Sequence, residues 1–169
     1  MDSKEILDAY SMFDLDEQVF LFRLARFSRV ASNQGICDDV RKILSLIRSL
    51  REVLNKAKPK NLPPLAILRH KRFLYLTSQG LNTILELSEN KLVKALLQSQ
   101  CDFIESAFYC IDEYDDICID EHDDIDTVES KVEAFLLKVK EIRSDAQKYT
   151  FADFANVICT IFCTKCIDS

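Results

Sequence analysis

A chain of 169 residues, 48 % apolar and 30 % charged, is long enough to bury a core and too apolar to stay unfolded. Its 2 glycines and 3 prolines argue against folds that need many tight turns, such as Rossmann domains, P-loop proteins, β-sandwiches and propellers. The net charge of −6 hides a polarity: residues 1–100 carry 16 basic and 11 acidic side chains, a net of +5, and residues 101–169 carry 6 and 17, a net of −11. That polarity favours protein partners with complementary patches over simple duplex binding, which needs net phosphate neutralisation.

In chain order, Asp2 and Glu5 read as a capping box for a first helix, with Ile6, Ala9, Tyr10 and Phe13 inward. A second helix is expected from about Glu17 to Val30. Val19, Phe20, Leu24, Phe27 and Val30 form its apolar face and Arg23, Arg26 and Arg29 the opposite one. The loop Ala31-Ser32-Asn33-Gln34-Gly35 follows. Asp38 or Asp39 can cap a third helix, whose stripe of Val40, Ile43, Leu44, Ile47, Leu50 and Leu54 keeps helical spacing until Pro59. Pro63 and Pro64 suit the start of a fourth helix running to about Glu86, with Gly80 as an interior weak point. A fifth, from about Glu89 to Ile111, rests on Leu92, Val93, Leu96, Leu97, Phe103, Ile104 and Phe108. Residues 38–58 and 63–88 are expected to pack as an antiparallel pair.

The stretch Asp112 to Asp126 holds nine carboxylates in fifteen residues and reads as a solvated linker. Beyond it, Phe135, Leu137 and Val139 alternate as in a strand, while Val128, Val132, Phe135, Val139 and Ile142 keep helical spacing. Phe151, Phe154, Val157, Ile158 and Ile161 point to a short final helix. The expected architecture is mainly α: a bundle of long amphipathic helices over residues 1–111, an acidic linker over 112–127, and a small C-terminal α+β or β element over 128–169.

No run approaches 18 uninterrupted apolar residues, so no membrane span is expected. The start, MDSKEILDAY, lacks the layout of a signal peptide. An intracellular chain with reduced thiols is therefore expected. The odd set Cys37, Cys101, Cys110, Cys118, Cys159, Cys163 and Cys166 agrees with that.

The acidic run fails as a calcium loop. Counted from Asp120, the sixth position is Ile125, where an EF-hand needs Gly. Cys159, Cys163 and Cys166 form C-x3-C-x2-C, and Cys163 with Cys166 could be half of a zinc site. No second CxxC or HxxxH completes it, so thiols without metal are the simpler reading. His70 and His122 have no nucleophile partner that spacing identifies, and His70 in Leu68-Arg69-His70-Lys71-Arg72 reads as a solvated helix face. Without a phosphate loop or G-x-S-x-G, a non-catalytic protein with no cofactor is expected. Residues 41–72 hold ten basic side chains and one acid, Glu52, which reads as a surface for an acidic protein partner ahead of a nucleic-acid patch.

Two segments, VRKILSLIRSLREVLNKAKPKNL and ILRHKRFLYLTSQGLNTILELSE, resemble the helical domain of GINS replication-complex subunits, the Sld-five type above all and the related Psf-one type next. In that family a long amphipathic helix ends in Leu-x-x-Ala-Lys, matched by Leu54, Ala57 and Lys58. The next helix carries a basic residue, a Tyr, Leu-x-x-x-Leu and a Glu, matched by Arg72, Tyr75, Leu81, Leu85 and Glu89. VEAFLLKVKEI looks like the strand of the family's small β-domain, although no Gly follows Gly80 to make its turns. The resemblance implies a nuclear, non-catalytic subunit of a heterotetramer acting in initiation and elongation of DNA replication. It would join the MCM helicase ring and the Cdc-forty-five protein, with indirect or weak DNA contact possible. Leu50, Leu54, Arg72, Tyr75, Leu81 and Leu85 would then face partners. A free-standing helical adaptor is the alternative, and a small thiol- or metal-dependent protein built on Cys159, Cys163 and Cys166 the third reading.

Overall fold

Short polar side chains set where the helices of this chain begin. The computed structural model describes residues 3–56, 64–110 and 119–162. Among them are helices α1 (Ser3–Met12), α2 (Leu15–Gln34), α3 (Val40–Lys56), α4 (Pro64–Leu87), α5 (Lys91–Cys110), α6 (Ile125–Ala146) and α7 (Phe151–Phe162), and no strand. Asp14 opens α2 with a capping box: its carboxylate accepts from the Glu17 N–H at 2.8 Å, and Glu17 accepts from the Asp14 N–H at 3.0 Å. Each satisfies a donor that the first helical turn leaves orphaned. Asp39 does the same for α3 and Asn90 for α5, taking the N–H groups of Arg41 at 3.1 Å and Leu92 at 2.9 Å. Gly35 ends α2 at φ 67°, a left-handed conformation that glycine adopts without strain.

The bundle is built around α4, which touches α2, α5, α6 and α7. Phe73 of α4 meets Phe20 of α2 with ring centroids 5.7 Å apart, and Phe13 closes the cluster at 6.5 Å. α7 packs beside α2, and the Tyr10 ring of α1 lies tilted against that of Phe154 with centroids 5.8 Å apart. The mainly α, helical-bundle architecture expected from periodicity is what the chain forms. No helix among the described residues is long and apolar enough to cross a membrane.

Four expectations need correction. The alternation of Phe135, Leu137 and Val139 does not make a strand; residues 125–146 are one helix, because the 3-4 spacing from Ile125 through Val128, Val132, Phe135, Val139 and Ile142 to Ala146 keeps a seven-residue, two-turn repeat along its whole length. Asp124 caps it, so the expected linker is helical from Ile125 onward, and residues 111–118 lie outside the described set. The third and fourth helices do not form the principal pair. α3 leans chiefly on α2 and α4 on α5, since the short connections over 35–39 and 88–90 force those neighbours antiparallel. His70 and Lys71 are buried, not solvated.

Gly80 also has a different meaning from a weak point. A Cβ there would sit 2.7 Å from Cδ2 of Leu24 and 2.9 Å from Cε2 of Phe151. The missing side chain lets α2, α4 and α7 meet.

Candidate functional site

The six residues expected to face partners are distributed over the chain's own core. Leu50 and Leu81 are fully buried, and Leu54, Tyr75 and Leu85 are half-buried against the same core. Arg72 turns toward α6, its Nε donating to the Asp145 carbonyl at 3.4 Å. The Tyr75 hydroxyl accepts from Nε2 of Gln79 at 2.8 Å, and its ring lies 6.4 Å from that of Phe108. Arg72 and Tyr75 thus sit on one stretch of α4 beneath α5 and α6, whereas Leu50 and Leu54 belong to α3.

The sequence Arg69-His70-Lys71-Arg72 puts charge where α4 meets its neighbours. Arg69 pairs with the buried Glu17 at 3.2 Å. Burial pushes the Glu17 carboxyl up to about 7, against the lowering pull of the Asp14 N–H and Arg69. Burial likewise pushes Lys71 down to about 8, assisted by the Arg143 charge, and its ammonium lies 5.0 Å from the Phe108 ring centroid. Burial lowers His70, with Arg69 adding to the effect. These groups sit at helix contacts, where burial by packing is the first cause of each shift.

The described thiols of Cys37, Cys101 and Cys159 behave as small core groups. Burial holds Cys101 up at about 12, and Cys37 donates to the Leu87 carbonyl at 3.0 Å. Cys159 is buried and raised, although a hydrogen bond from Arg29 opposes that. Cys163 and Cys166 lie outside the described residues. Among those described, no group of three or more His, Cys, Asp or Glu side chains could hold a metal.

A groove of about 330 Å³ opens between α2 and α3. Phe27, Val30, Ile36 and Leu46 line it with apolar surface, buried or half-buried, and the exposed Arg23, Arg26 and Lys42 line it with charge, with no carboxylate in the lining. Arg23 is fixed by its Nη2, which donates to the Ser45 hydroxyl at 3.1 Å. The same helix pair is closed at its far end by Lys56 and Asp16, 2.8 Å apart. The i, i+3 spacing of Arg23 and Arg26 showed one basic helix face. Nothing in the sequence showed that Lys42 would stand opposite it, because that depends on how α3 folds back at Gly35.

Comparison of the chain with protein-family models, with curated proteins and with solved structures returns no match in any of the three.

Proposed function

We propose that this chain is a non-catalytic helical adaptor whose α2–α3 groove docks an acidic, partly apolar segment of a protein partner. The groove's three cations beside its apolar lining carry the reading. An acidic peptide meets complementary charge there, which speeds and selects docking, while an apolar side chain gains burial against the apolar lining. The test is affinity capture from native cells with mass spectrometry of the partners, run with the natural chain and with Arg23→Glu/Lys42→Glu. A partner retained by the first, lost by the second and released by raised salt supports the reading; equal capture by both rejects it.

A second reading, membership of a GINS-type heterotetramer in the nucleus, is favoured by one observation. Residues 40–56 and 64–87 form two long helices in succession, the order that resemblance requires. Against it stand the helix where a strand was expected and the inward placement of Leu50 and Leu81. The same capture decides: three other small helical proteins together with MCM subunits and the Cdc-forty-five protein would establish this reading, and a single unrelated partner would favour the adaptor.

A further inference from the structure

We propose that α6 is a self-association element, through which two copies of this chain dock antiparallel along the stripe Glu133, Leu136, Leu137 and Lys140. All four are exposed, and Leu136 and Leu137 keep 59 % and 63 % of their surface open to solvent. Their spacing, i, i+3, i+4, i+7, places them in one line on the helix surface. The half-buried seam of Val128, Val132, Phe135, Val139 and Ile142 points elsewhere, so the stripe is a second apolar face of α6, separate from the seam.

The choice of partner comes from charge. Glu133 precedes the leucine pair by three residues and Lys140 follows it by three. A second copy laid antiparallel across the midpoint of Leu136 and Leu137 sets Leu136 against Leu137, Glu133 against the other copy's Lys140, and Lys140 against the other copy's Glu133. The contact is isologous and closes with two copies, whereas a parallel arrangement would set like charges together. Within α6 neither charge meets its opposite at helical spacing. Glu133 has Glu129, Ser130, Leu136 and Leu137 three or four residues away, and Lys140 has Leu136, Leu137, Arg143 and Ser144. The docked pair supplies both missing counter-charges. Four side chains per copy are few beside the roughly 20–30 of a stable interface, so the dimer is weak and concentration-dependent.

Sedimentation equilibrium up to roughly 1 mM protein, at low and high salt, tests this. The expected result is a monomer–dimer equilibrium weakened by salt. Glu133→Lys and Lys140→Glu should each weaken the dimer about tenfold or more by setting like charges face to face. An equimolar mixture of the two variants, and the double variant Glu133→Lys/Lys140→Glu, should both recover it. These exposed positions can be changed without touching the core, and circular dichroism checks that. A monomer at every concentration, single variants that associate like the natural chain, or a mixture that fails to recover would each overturn the proposal. Hydroxyl-radical footprinting showing the Leu136 and Leu137 side chains covered in the monomer would assign the stripe to another part of the same chain, and would overturn it too.

Discussion

Asp38 binds Ser88 across 50 residues of chain: the serine hydroxyl donates to Oδ1 of Asp38 at 2.5 Å. The same oxygen accepts the N–H groups of Glu89 and Asn90, each at 3.1 Å. One carboxylate just ahead of α3 therefore organises the turn between α4 and α5. Those donors hold its pKa below the ordinary carboxylate value, the Ser88 hydroxyl foremost.

Asp38→Ala is expected to lower the melting temperature, since three donors at once lose their acceptor. Asp38→Asn should lower it less, because the amide oxygen can still accept. A lowered folded-state pKa means that the contribution is complete above the unfolded-state value and is lost as acid protonates the folded carboxylate. The difference between the natural chain and Asp38→Ala should therefore shrink on acidification. Melts by circular dichroism across the acid range measure this, and a pH-independent difference would count against the capping role.

How much of this was legible beforehand differs by residue. The helices α3, α5 and α7 were visible as periodicity, although Leu44, Leu92, Phe103 and Ile161 of their expected stripes are exposed. Val19 fitted the stripe of α2 yet is about half exposed, since a helix packed on several neighbours buries a broad arc whose edges sequence does not mark. Asp38 was read as a possible cap for the helix that follows it; that it serves a turn 50 residues away depends on tertiary placement. His70 and Lys71 looked solvated because polar residues usually are, and only the packing of other helices around α4 buries them, Lys71 against the Phe108 ring of α5. The groove had its Arg23 and Arg26 in view and lacked the facing helix.

Glu17 and Lys71 should give the stability profile two opposed slopes. Glu17 rises from an ordinary 4.5 to about 7, so the folded chain holds the extra proton in that window. Its contribution is complete below the unfolded-state value and is lost as pH rises through about 7. Lys71 falls from 10.5 to about 8, so its contribution is complete above the first value and is lost as pH drops through the second. Glu17→Gln, which keeps the capping box, should flatten the acid-side slope and stabilise by about 1–2 kcal/mol at slightly alkaline pH. Lys71→Met should flatten the alkaline slope. Urea titrations at spaced pH values check both, and unchanged slopes would overturn the assignment.

Gly80→Ala sets two magnitudes against each other. Alanine favours the helical backbone over glycine by roughly 0.5–1 kcal/mol. Overpacking a filled interior costs roughly 1–3 kcal/mol. With the new Cβ at 2.7 Å from Leu24 and 2.9 Å from Phe151, the steric cost should win. The expected outcome is a net loss of about 1–2 kcal/mol in equilibrium unfolding. A stabilised variant would mean that α7 can move aside from α4 without loss.

Leu50 separates a core role from a partner role most sharply. It is fully buried inside this chain, among the residues that α3 presses into the bundle. Leu50→Ala removes three buried carbon atoms and leaves a cavity, which in a packed interior costs about 2–5 kcal/mol. That loss should appear in the purified chain alone, in urea, without any partner. Leu54 is half-buried at the edge of the same stripe, and Leu54→Ala should cost about 1–2 kcal/mol, since less surface returns to water. A leucine that faced a partner would behave the other way: the isolated chain would melt as before, and only assembly would weaken. If Leu50→Ala leaves the isolated chain's unfolding curve in place while abolishing capture of a partner, α3 docks outward and the packing described above is wrong. If both leucines rank by their burial in the lone chain, the stripe of α3 is spent on this chain's own core. Contacts with other proteins then fall to its exposed faces, the basic groove and α6 among them.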